Sequence, residues 1–181
     1  MGKSDTSEEK ILNRKSLYTG SYLTLEKLQV QLPNHHVCDR EVVRVRNAVA
    51  VLPADKDGSV HLVRQFRPAI EQFILEVPAG LIDQNETPEQ TALRECEEET
   101  GYKPHKLQKL LTYAHAEGYS TGFITLFLGT DLEYTGHIHL DSSEFLESEI
   151  LSFSELVRRV ETNRIVDSKT ILCTLLSQGK I

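Results

Sequence analysis

Alternating apolar and polar residues predict antiparallel strands in the first quarter of the chain. The alternation runs through residues 18–32 and again through residues 37–45, and the turn-forming stretch at residues 33–36 separates the two runs. A period of two places the apolar side chains of a strand on one face. Residues 1–12 are charged and carry few apolar side chains, so we expect a frayed or disordered start.

Further apolar runs predict more strands. Residues 47–53 read as a buried strand, and residues 59–67 are expected to pair with it as a hairpin across the turn at residues 55–58. Residues 106–114 and 123–129 are also strand-like.

Three segments have the pattern of helices. Residues 88–100 follow a plausible N-cap, Thr87, with Pro88 at the first helical position and Gly101 placed to end the helix. A second helix is predicted over residues 154–163 with Ser154 as its N-cap. Ser168 opens a last helix, whose apolar residues are Ile171, Leu172, Leu175 and Leu176. This order of strands and helices predicts an α/β fold with a mixed sheet flanked by helices.

Composition limits the classes of function. The chain has 181 residues, of which 39% are hydrophobic, enough for one sizeable core and a small extension. The net charge of −7 argues against a cationic surface for nucleic acid or anionic lipid. The sequence has no apolar run of membrane-spanning length, and its polar start lacks a signal-peptide core, so we expect a cytoplasmic protein.

Cysteines and histidines give no metal-binding signature. The three cysteines are widely separated, and we expect them to be reduced and structural. The pair His35 and His36, and the separate His137 and His139, lie beside turn or loop signals without companion ligands, so we do not assign them to a metal.

Carboxylates crowd one face of the predicted helix 88–100. Glu95, Glu98 and Glu99 are related by i, i+3 and i, i+4 spacing, and they fall in the last turn, where the helix dipole disfavours negative charge. A solvated acidic face is the simpler explanation. A site for a hard divalent cation and a phosphate substrate is the alternative, because such cations take oxygen ligands.

The spacing around these carboxylates decides between the two explanations. It closely resembles the signature of the Nudix hydrolases, G-x5-E-x7-R-E-U-x-E-E-x-G-U, in which U is aliphatic. Two apolar positions depart from the pattern, with Cys96 in place of an aliphatic residue and Tyr102 after the last glycine. The fixed residues of the pattern are all present: Gly80, Glu86, Arg94, Glu95, Glu98, Glu99 and Gly101.

The resemblance implies a fold, a branch and an assembly. Nudix domains are α/β/α sandwiches, and the domain here would cover residues 47–181. Residues 63–68 and 75–80 are similar to recurrent segments of the ADP-ribose and nucleoside-diphosphate-sugar pyrophosphatase branch. In that branch an N-terminal β extension, here residues 1–46, commonly builds a homodimer, often by exchange between subunits.

The resemblance also implies a metal site for Mg²⁺, with Mn²⁺ as the alternative. The expected ligands are Glu95, Glu99 and the backbone carbonyl of Ala79, with Glu98 sharing or bridging through water. Glu86 and Arg94 are the expected internal ion pair that holds the loop to its helix, which we call the box pair.

Substrate contacts and the catalytic base are expected outside the helix. Arg67 is expected to contact a phosphate, the alternative being an ion pair with Glu71. Glu76 is expected to line the site and bind substrate, the alternative being burial with a partner. The base often comes from an acidic loop in this branch, which makes Glu144 the first choice and Glu147 the second, with Glu98 a competitor.

The expected activity is metal-dependent hydrolysis of the pyrophosphate bond of a small sugar nucleotide. Glu117 stands where ADP-ribose hydrolases often carry a proline, which leaves GDP-mannose open as a substrate beside ADP-ribose. Alternatives are hydrolysis of dinucleoside polyphosphates, nucleoside triphosphates or capped RNA, and a sensor that does not cleave. Four aromatic residues are candidates for stacking a base, although each is also explained by packing: Tyr18, Tyr22, Phe66 and Tyr119.

Overall fold

The computed structural model describes residues 8–140 and 145–181, which form ten strands and three helices. In chain order these are β1 (Lys10–Thr19), β2 (Thr24–Gln31), β3 (Val37–Arg44), β4 (Ala48–Pro53), β5 (Ser59–Arg67), β6 (Gln72–Glu76), β7 (Ala79–Leu81), α1 (Pro88–Thr100), β8 (Tyr102–Ala114), β9 (Phe123–Tyr134), β10 (Leu146–Ser152), α2 (Phe153–Glu161) and α3 (Ser168–Ser177). The chain divides into two compact units. The first contains the described residues up to Asn47 together with Ala114–Phe123, and the second contains Ala48–Tyr113 and Ile124–Ile181.

The first unit contains an antiparallel sheet in the order β1-β2-β3. The predicted strands at residues 18–32 and 37–45 correspond to β2 and β3. The expected disorder up to residue 12 is wrong for the last three of those residues, because β1 begins at Lys10. Every residue of β1 is exposed, so the strand lacks the buried alternation that sequence patterns detect, and backbone pairing with β2 defines it.

The second unit is built on a mixed sheet in the order β7-β4-β9-β8. Strand β4 is antiparallel to β7 and parallel to β9. The predicted hairpin between residues 47–53 and 59–67 is wrong, because β5 pairs with β6 and β10 in a second sheet. Both edges of β4 are already occupied, and the residue after β4 meets β5 in an isolated bridge, Ala54 to Val60.

Alternate residues of β4 face two different cores. Val49 and Val51 pack in a cluster with the α1 residues Ala92 and Cys96, the latter fully buried at the departing apolar position of the motif. Helix α1 therefore covers one face of the mixed sheet. The other face packs against the second sheet, α2 and α3 through Ala50, Leu52, Leu62, Leu156 and Cys173. This arrangement confirms the predicted α/β/α sandwich.

The helix boundaries follow local capping. The Thr87 hydroxyl accepts a hydrogen bond from the Gln90 backbone N–H, and the Gln90 side-chain oxygen accepts one from the Thr87 backbone N–H, which confirms the predicted start of α1. Gly101 ends α1 with φ of 75°, a conformation that favours glycine. The predicted N-cap of the second helix is wrong.

The second helix begins one residue earlier than predicted. The Ser152 hydroxyl accepts from the Glu155 backbone N–H, so Ser152 is the cap of α2 and Ser154 lies in the first turn. Helix α3 begins at the predicted Ser168, and Asp167 caps it. Leu175 of α3 is 47% exposed, whereas its buried face carries Thr170, Cys173, Thr174 and Ser177.

Among the described helices, none is both long enough and apolar enough to cross a membrane.

Candidate active site

The Gly80 loop is shaped by the carboxylate of Glu95. Strand β7 pairs with β4 with Gly80 opposite Val49, and this pairing places the loop beside α1. A Cβ atom on Gly80 would overlap the Glu95 carboxyl group, so only glycine lets the loop backbone approach this closely. Ala79, whose carbonyl is an expected metal ligand, immediately precedes this contact.

Arg94 is the hydrogen-bonding centre of the predicted site. Its Nε and Nη2 donate to the two oxygens of Glu86, both at 2.9 Å. Its Nη1 donates to Glu95 Oε1 at 2.8 Å and to Glu98 Oε2 at 2.9 Å. The structure therefore brings the box pair together and joins two expected metal ligands to the same guanidinium.

The box pair is electrostatically strong. Hydrogen bonds from Arg94 lower the pKa of Glu86 to about 2, against the opposing effect of desolvation, and the Thr91 hydroxyl adds a further hydrogen bond at 2.8 Å. The Arg94 pKa is correspondingly raised above its usual value by its hydrogen bonds to Glu86. The loop before α1 is thus tied to the middle of the helix.

The carboxylates around Arg94 carry excess negative charge, which favours binding of a cation. Three carboxylates bonded to one guanidinium leave two negative charges in excess, and Glu99, one turn after Glu95, is only 8% exposed. Carboxylate and carbonyl oxygens are the ligands that hard divalent ions prefer.

Hydrogen bonds to Arg94 set the positions of two of these carboxylates. Among the residues that the structure describes, no three acidic, histidine or cysteine side chains converge closely enough to bind a metal ion. Glu95 and Glu98 are turned toward Arg94 instead. The donor chemistry fits a divalent cation, because Glu95 and Glu98 each give Arg94 one oxygen and keep a second carboxylate oxygen.

A second charged network surrounds Glu76, which is 1% exposed. Arg67 binds it with both Nε and Nη2 at 2.8 Å, and Lys169 Nζ donates to its Oε2 at 3.1 Å. Of the two alternatives for Glu76, the structure shows the buried one, with partners. Arg67 is paired with Glu76 rather than with Glu71, and 41% of its side chain stays exposed.

The network continues to the start of α3. Lys169 also donates to Asp167 Oδ1 at 2.6 Å, and Asp167 Oδ2 accepts from the backbone N–H and hydroxyl of Thr170. The Thr170 hydroxyl in turn accepts from the Val77 backbone N–H at 2.8 Å. Strand β6 and helix α3 are therefore joined through both charges and neutral hydrogen bonds.

Sequence reasoning missed Lys169 and Asp167. Lys169 lies in the first turn of α3, where the helix dipole disfavours a cation. That local conflict is the same kind of signal that identified the carboxylates at the end of α1, and it was available in the sequence once Ser168 was placed at a helix start.

The candidate bases lie in different surroundings. Glu147 is in β10 opposite Arg64, and its carboxylate accepts from Arg64 Nη1 at 3.1 Å while 73% of the side chain is exposed. Arg64 also lies over the Phe73 ring, 4.5 Å from its centroid. Glu144 lies outside the described residues.

The candidate stacking residues are all exposed. Tyr18, Tyr22 and Tyr119 belong to the first unit and are more than 60% exposed. Phe66 belongs to the second unit, is 43% exposed, and contacts Phe73 edge to face at 5.2 Å.

A groove of about 480 Å³ lies along the outer face of α1 and reaches Glu98. His137, which the sequence left unassigned, approaches Glu97 at 3.5 Å, and the His139 backbone N–H donates to the Glu98 carbonyl. The loop after β9 is therefore held against the helix that carries the carboxylates. The groove is lined by Gln90, Leu93, Arg94, Glu97, Glu98, Lys103, His137 and His139.

Comparisons with known proteins find a family and similar chains. The model of the NUDIX domain matches residues 44–172. The chain is 36% identical to an ADP-ribose pyrophosphatase of Bacillus subtilis, over 90% of this chain and 89% of the relative. It is 34% identical to a methanol dehydrogenase activator of Bacillus methanolicus, over 91% and 90% of the two chains. A crystal structure of an ADP compounds hydrolase superposes with a TM-score of 0.83 and 22% identity, covering 96% of this chain and 94% of the other.

Proposed function

Because this chain belongs to the Nudix family, we propose that it is a pyrophosphohydrolase of nucleoside-diphosphate sugars of the ADP-ribose or GDP-mannose type. The products are a nucleoside monophosphate and a sugar phosphate. The observation that carries the proposal is the structure of the motif at residues 80–102, in which Glu95 lies against Gly80 and Arg94 binds Glu86. Similarity to the Bacillus subtilis ADP-ribose pyrophosphatase over nine-tenths of both chains supports the substrate class.

Nudix hydrolases generally need a divalent metal, and we propose Mg²⁺, with Mn²⁺ as a substitute. The proposed ligands are the Ala79 carbonyl, Glu95 and Glu99, with Glu98 sharing. These residues would hold the cation, which would supply charge neutralisation on the diphosphate and activation of the attacking water. The close approach of Gly80 to Glu95 and the burial of Glu99 support this assignment.

The chain's own residues orient the substrate and accept a proton. Water adds to one phosphorus, the bond from that phosphorus to the bridging oxygen breaks, and the leaving phosphate keeps the electron pair. A carboxylate takes the proton released by the water. We propose Glu144 for this role before Glu147 and Glu98, and Arg67 for binding a phosphate oxygen through the exposed side of its guanidinium.

Turnover of a substrate panel tests the function. Purified protein is incubated with ADP-ribose, GDP-mannose and other sugar nucleotides with Mg²⁺ or Mn²⁺, and the products are identified after reaction in ¹⁸O-labelled water. We expect release of a nucleoside monophosphate from at least one of them, with the label showing which phosphorus is attacked. No turnover by folded protein would overturn the proposal.

The same panel separates the alternatives. Faster cleavage of dinucleoside polyphosphates, nucleoside triphosphates or capped RNA would assign the chain to another class of hydrolase. Binding of a sugar nucleotide without cleavage in the presence of metal would indicate a sensor. The intact carboxylates Glu95, Glu98 and Glu99 favour hydrolysis, since a sensor needs no full metal set.

A second candidate function is activation of an alcohol-oxidising dehydrogenase. It is favoured by the Bacillus methanolicus relative, which matches nine-tenths of both chains. The rate of a purified methanol dehydrogenase is measured with wild-type protein and with Glu99→Gln. An increase with the wild type alone ties activation to hydrolysis, and no increase with either protein removes this candidate.

We also propose that the chain forms a homodimer through its first unit. Strand β1 is an edge strand with ten exposed residues, among them Ile11, Leu12 and Leu17. Exposed edges with apolar side chains favour pairing with another chain. Light scattering after size exclusion should give twice the monomer mass, and replacing Ile11 and Leu17 by lysine should halve it; a wild-type monomer would contradict the proposal.

A cytoplasmic location stays a prediction from the sequence.

A further inference from the structure

Glu76 holds two cations that differ in exposure. Its carboxylate is buried and bonds Arg67 through both oxygens, while Oε2 also accepts from Lys169. The Lys169 side chain is only 14% exposed, against 41% for Arg67. Lys169 therefore lies inside the network, and Arg67 lies at its outer end.

The inner end of the network is fixed to secondary structure. Lys169 is bonded to Asp167, which is 8% exposed and receives two hydrogen bonds from Thr170. Since Thr170 is fully buried and also bonds the backbone of Val77, the residue after β6, this end is held by helix α3 and the chain at the end of β6. Contacts then run without interruption from α3 through Lys169 and Glu76 to Arg67.

The outer end lies within electrostatic reach of the proposed metal ligands. Burial opposes the charge on Arg67, but hydrogen bonding to Glu76 and the charges of Glu76, Asp167 and Glu99 together raise its pKa. Burial also opposes the charge on Lys169, and Asp167 and Glu76 outweigh it. Both side chains are therefore cations at neutral pH.

We propose that Lys169 is a positioning residue for the hydrolysis: it fixes the Glu76 carboxylate, and Glu76 fixes the Arg67 guanidinium that binds the diphosphate of the substrate. This inference rests on the proposed function. An arginine with a free side chain loses rotamer entropy when it binds a phosphate, and one that is already clamped does not. Misplacement of a binding group by 1 Å can cost about 100-fold in rate.

A double-mutant cycle between Lys169 and Arg67 tests this path. Lys169→Met removes the charge and keeps an unbranched side chain that is one heavy atom shorter, and we expect kcat/KM for the best sugar nucleotide to fall about 10- to 100-fold. If Lys169 acts through Arg67, the variant that carries both Lys169→Met and Arg67→Lys should have a kcat/KM within about twofold of that of Arg67→Lys alone. If the loss of kcat/KM in the double variant equals the product of the two single losses, the proposal is overturned.

A control variant on the same helix separates positioning from stability. Thr174 is fully buried and donates to the Thr170 carbonyl, so Thr174→Val destabilises α3 without touching a charge of the network. We expect a lower Tm with kcat/KM within about twofold of wild type. A kinetic loss equal to that of Lys169→Met would show that any weakening of α3 suffices, and would overturn the proposal.

A measurement on Arg67 itself keeps the inference distinct from the activity. In protein with ¹⁵N-labelled arginine, the Nε–H signal of Arg67 is assigned by its loss in Arg67→Lys. We expect Lys169→Met to speed exchange of this proton with water about tenfold, and Thr174→Val to leave it unchanged. Unchanged or slower exchange in Lys169→Met would overturn the inference even where sugar nucleotides are cleaved. Faster exchange would support the clamp even where the panel shows no turnover.

Discussion

Glu86→Gln removes the negative charge of the box pair and keeps the shape of the side chain. In the folded protein the pKa of Glu86 is lowered from 4.5 to about 2, chiefly by the hydrogen bonds from Arg94. The gap between these values, at about 1.4 kcal/mol per pKa unit, sets an upper limit of about 3.5 kcal/mol. The side chains of Glu86 and Arg94 are 23% and 29% exposed, so water screens the pair, and we expect a loss of about 1–2 kcal/mol at pH 7.

The pH dependence of this loss follows from the sign of the pKa change. Because the folded pKa lies below the unfolded one, the ionised Glu86 stabilises the fold above about pH 4.5, and its contribution disappears as the pH falls toward 2. The difference in unfolding free energy between wild type and Glu86→Gln should therefore shrink over that range.

Urea unfolding at pH 7, 5 and 3 measures this difference, and a Tm lower by about 3–8 °C at pH 7 should accompany it. The matched control is Glu161→Gln, which removes an exposed carboxylate at the end of α2 and should change stability by less than about 0.5 kcal/mol. Equal stability of Glu86→Gln and wild type at pH 7, or a difference that stays constant down to pH 3, would refute the reasoning.

Three further predictions concern the loop, the metal and a helix cap. Gly80→Ala should displace Glu95 and lower kcat about 100-fold while the Tm stays near wild type, and wild-type kcat would contradict the close contact. Glu99→Gln should lower turnover at least about 100-fold and weaken the response to added Mg²⁺ with the circular dichroism spectrum unchanged; wild-type turnover would remove Glu99 from the ligand set. Ser152→Ala should lower the free energy of unfolding in urea by about 1 kcal/mol, and Ser154→Ala should lower it less. A larger loss in Ser154→Ala would support the cap predicted from the sequence.

The box helix was predictable because its signals are local. Thr87 and Gln90 cap each other within one turn, and Gly101 ends the helix through its own backbone conformation. The crowding of Glu95, Glu98 and Glu99 is also visible at short range, as is the spacing that identifies the family. Everything needed for this element lies within about twenty residues of sequence.

The pairing of β5 was not predictable in this way. The hairpin expectation used the short turn between β4 and β5, but strand pairing depends on which edges remain free in the complete sheet. Strand β4 is completed by β7 and by β9, which begins at Phe123, far along the chain. Strand β10 had no sequence signal either, since four of its seven residues are exposed.

The Glu76 network shows the same limit at the level of side chains. Glu76 and Lys169 are 93 residues apart, so no spacing rule connects them. The sequence showed only that Glu76 among apolar neighbours needed a partner or a function. The identity of that partner depends on the packing of α3 against β6, which local patterns do not contain.

The buried thiol of Cys96 makes movements of α1 observable in solution. Burial raises its pKa to about 12, so almost no reactive thiolate exists in the folded molecule. An alkylating reagent reaches this sulfur only when α1 lifts from the sheet, and mass spectrometry distinguishes it from the half-buried Cys38. The rate of alkylation at Cys96 thus measures how often the helix that carries the carboxylates opens, without any label added to the protein.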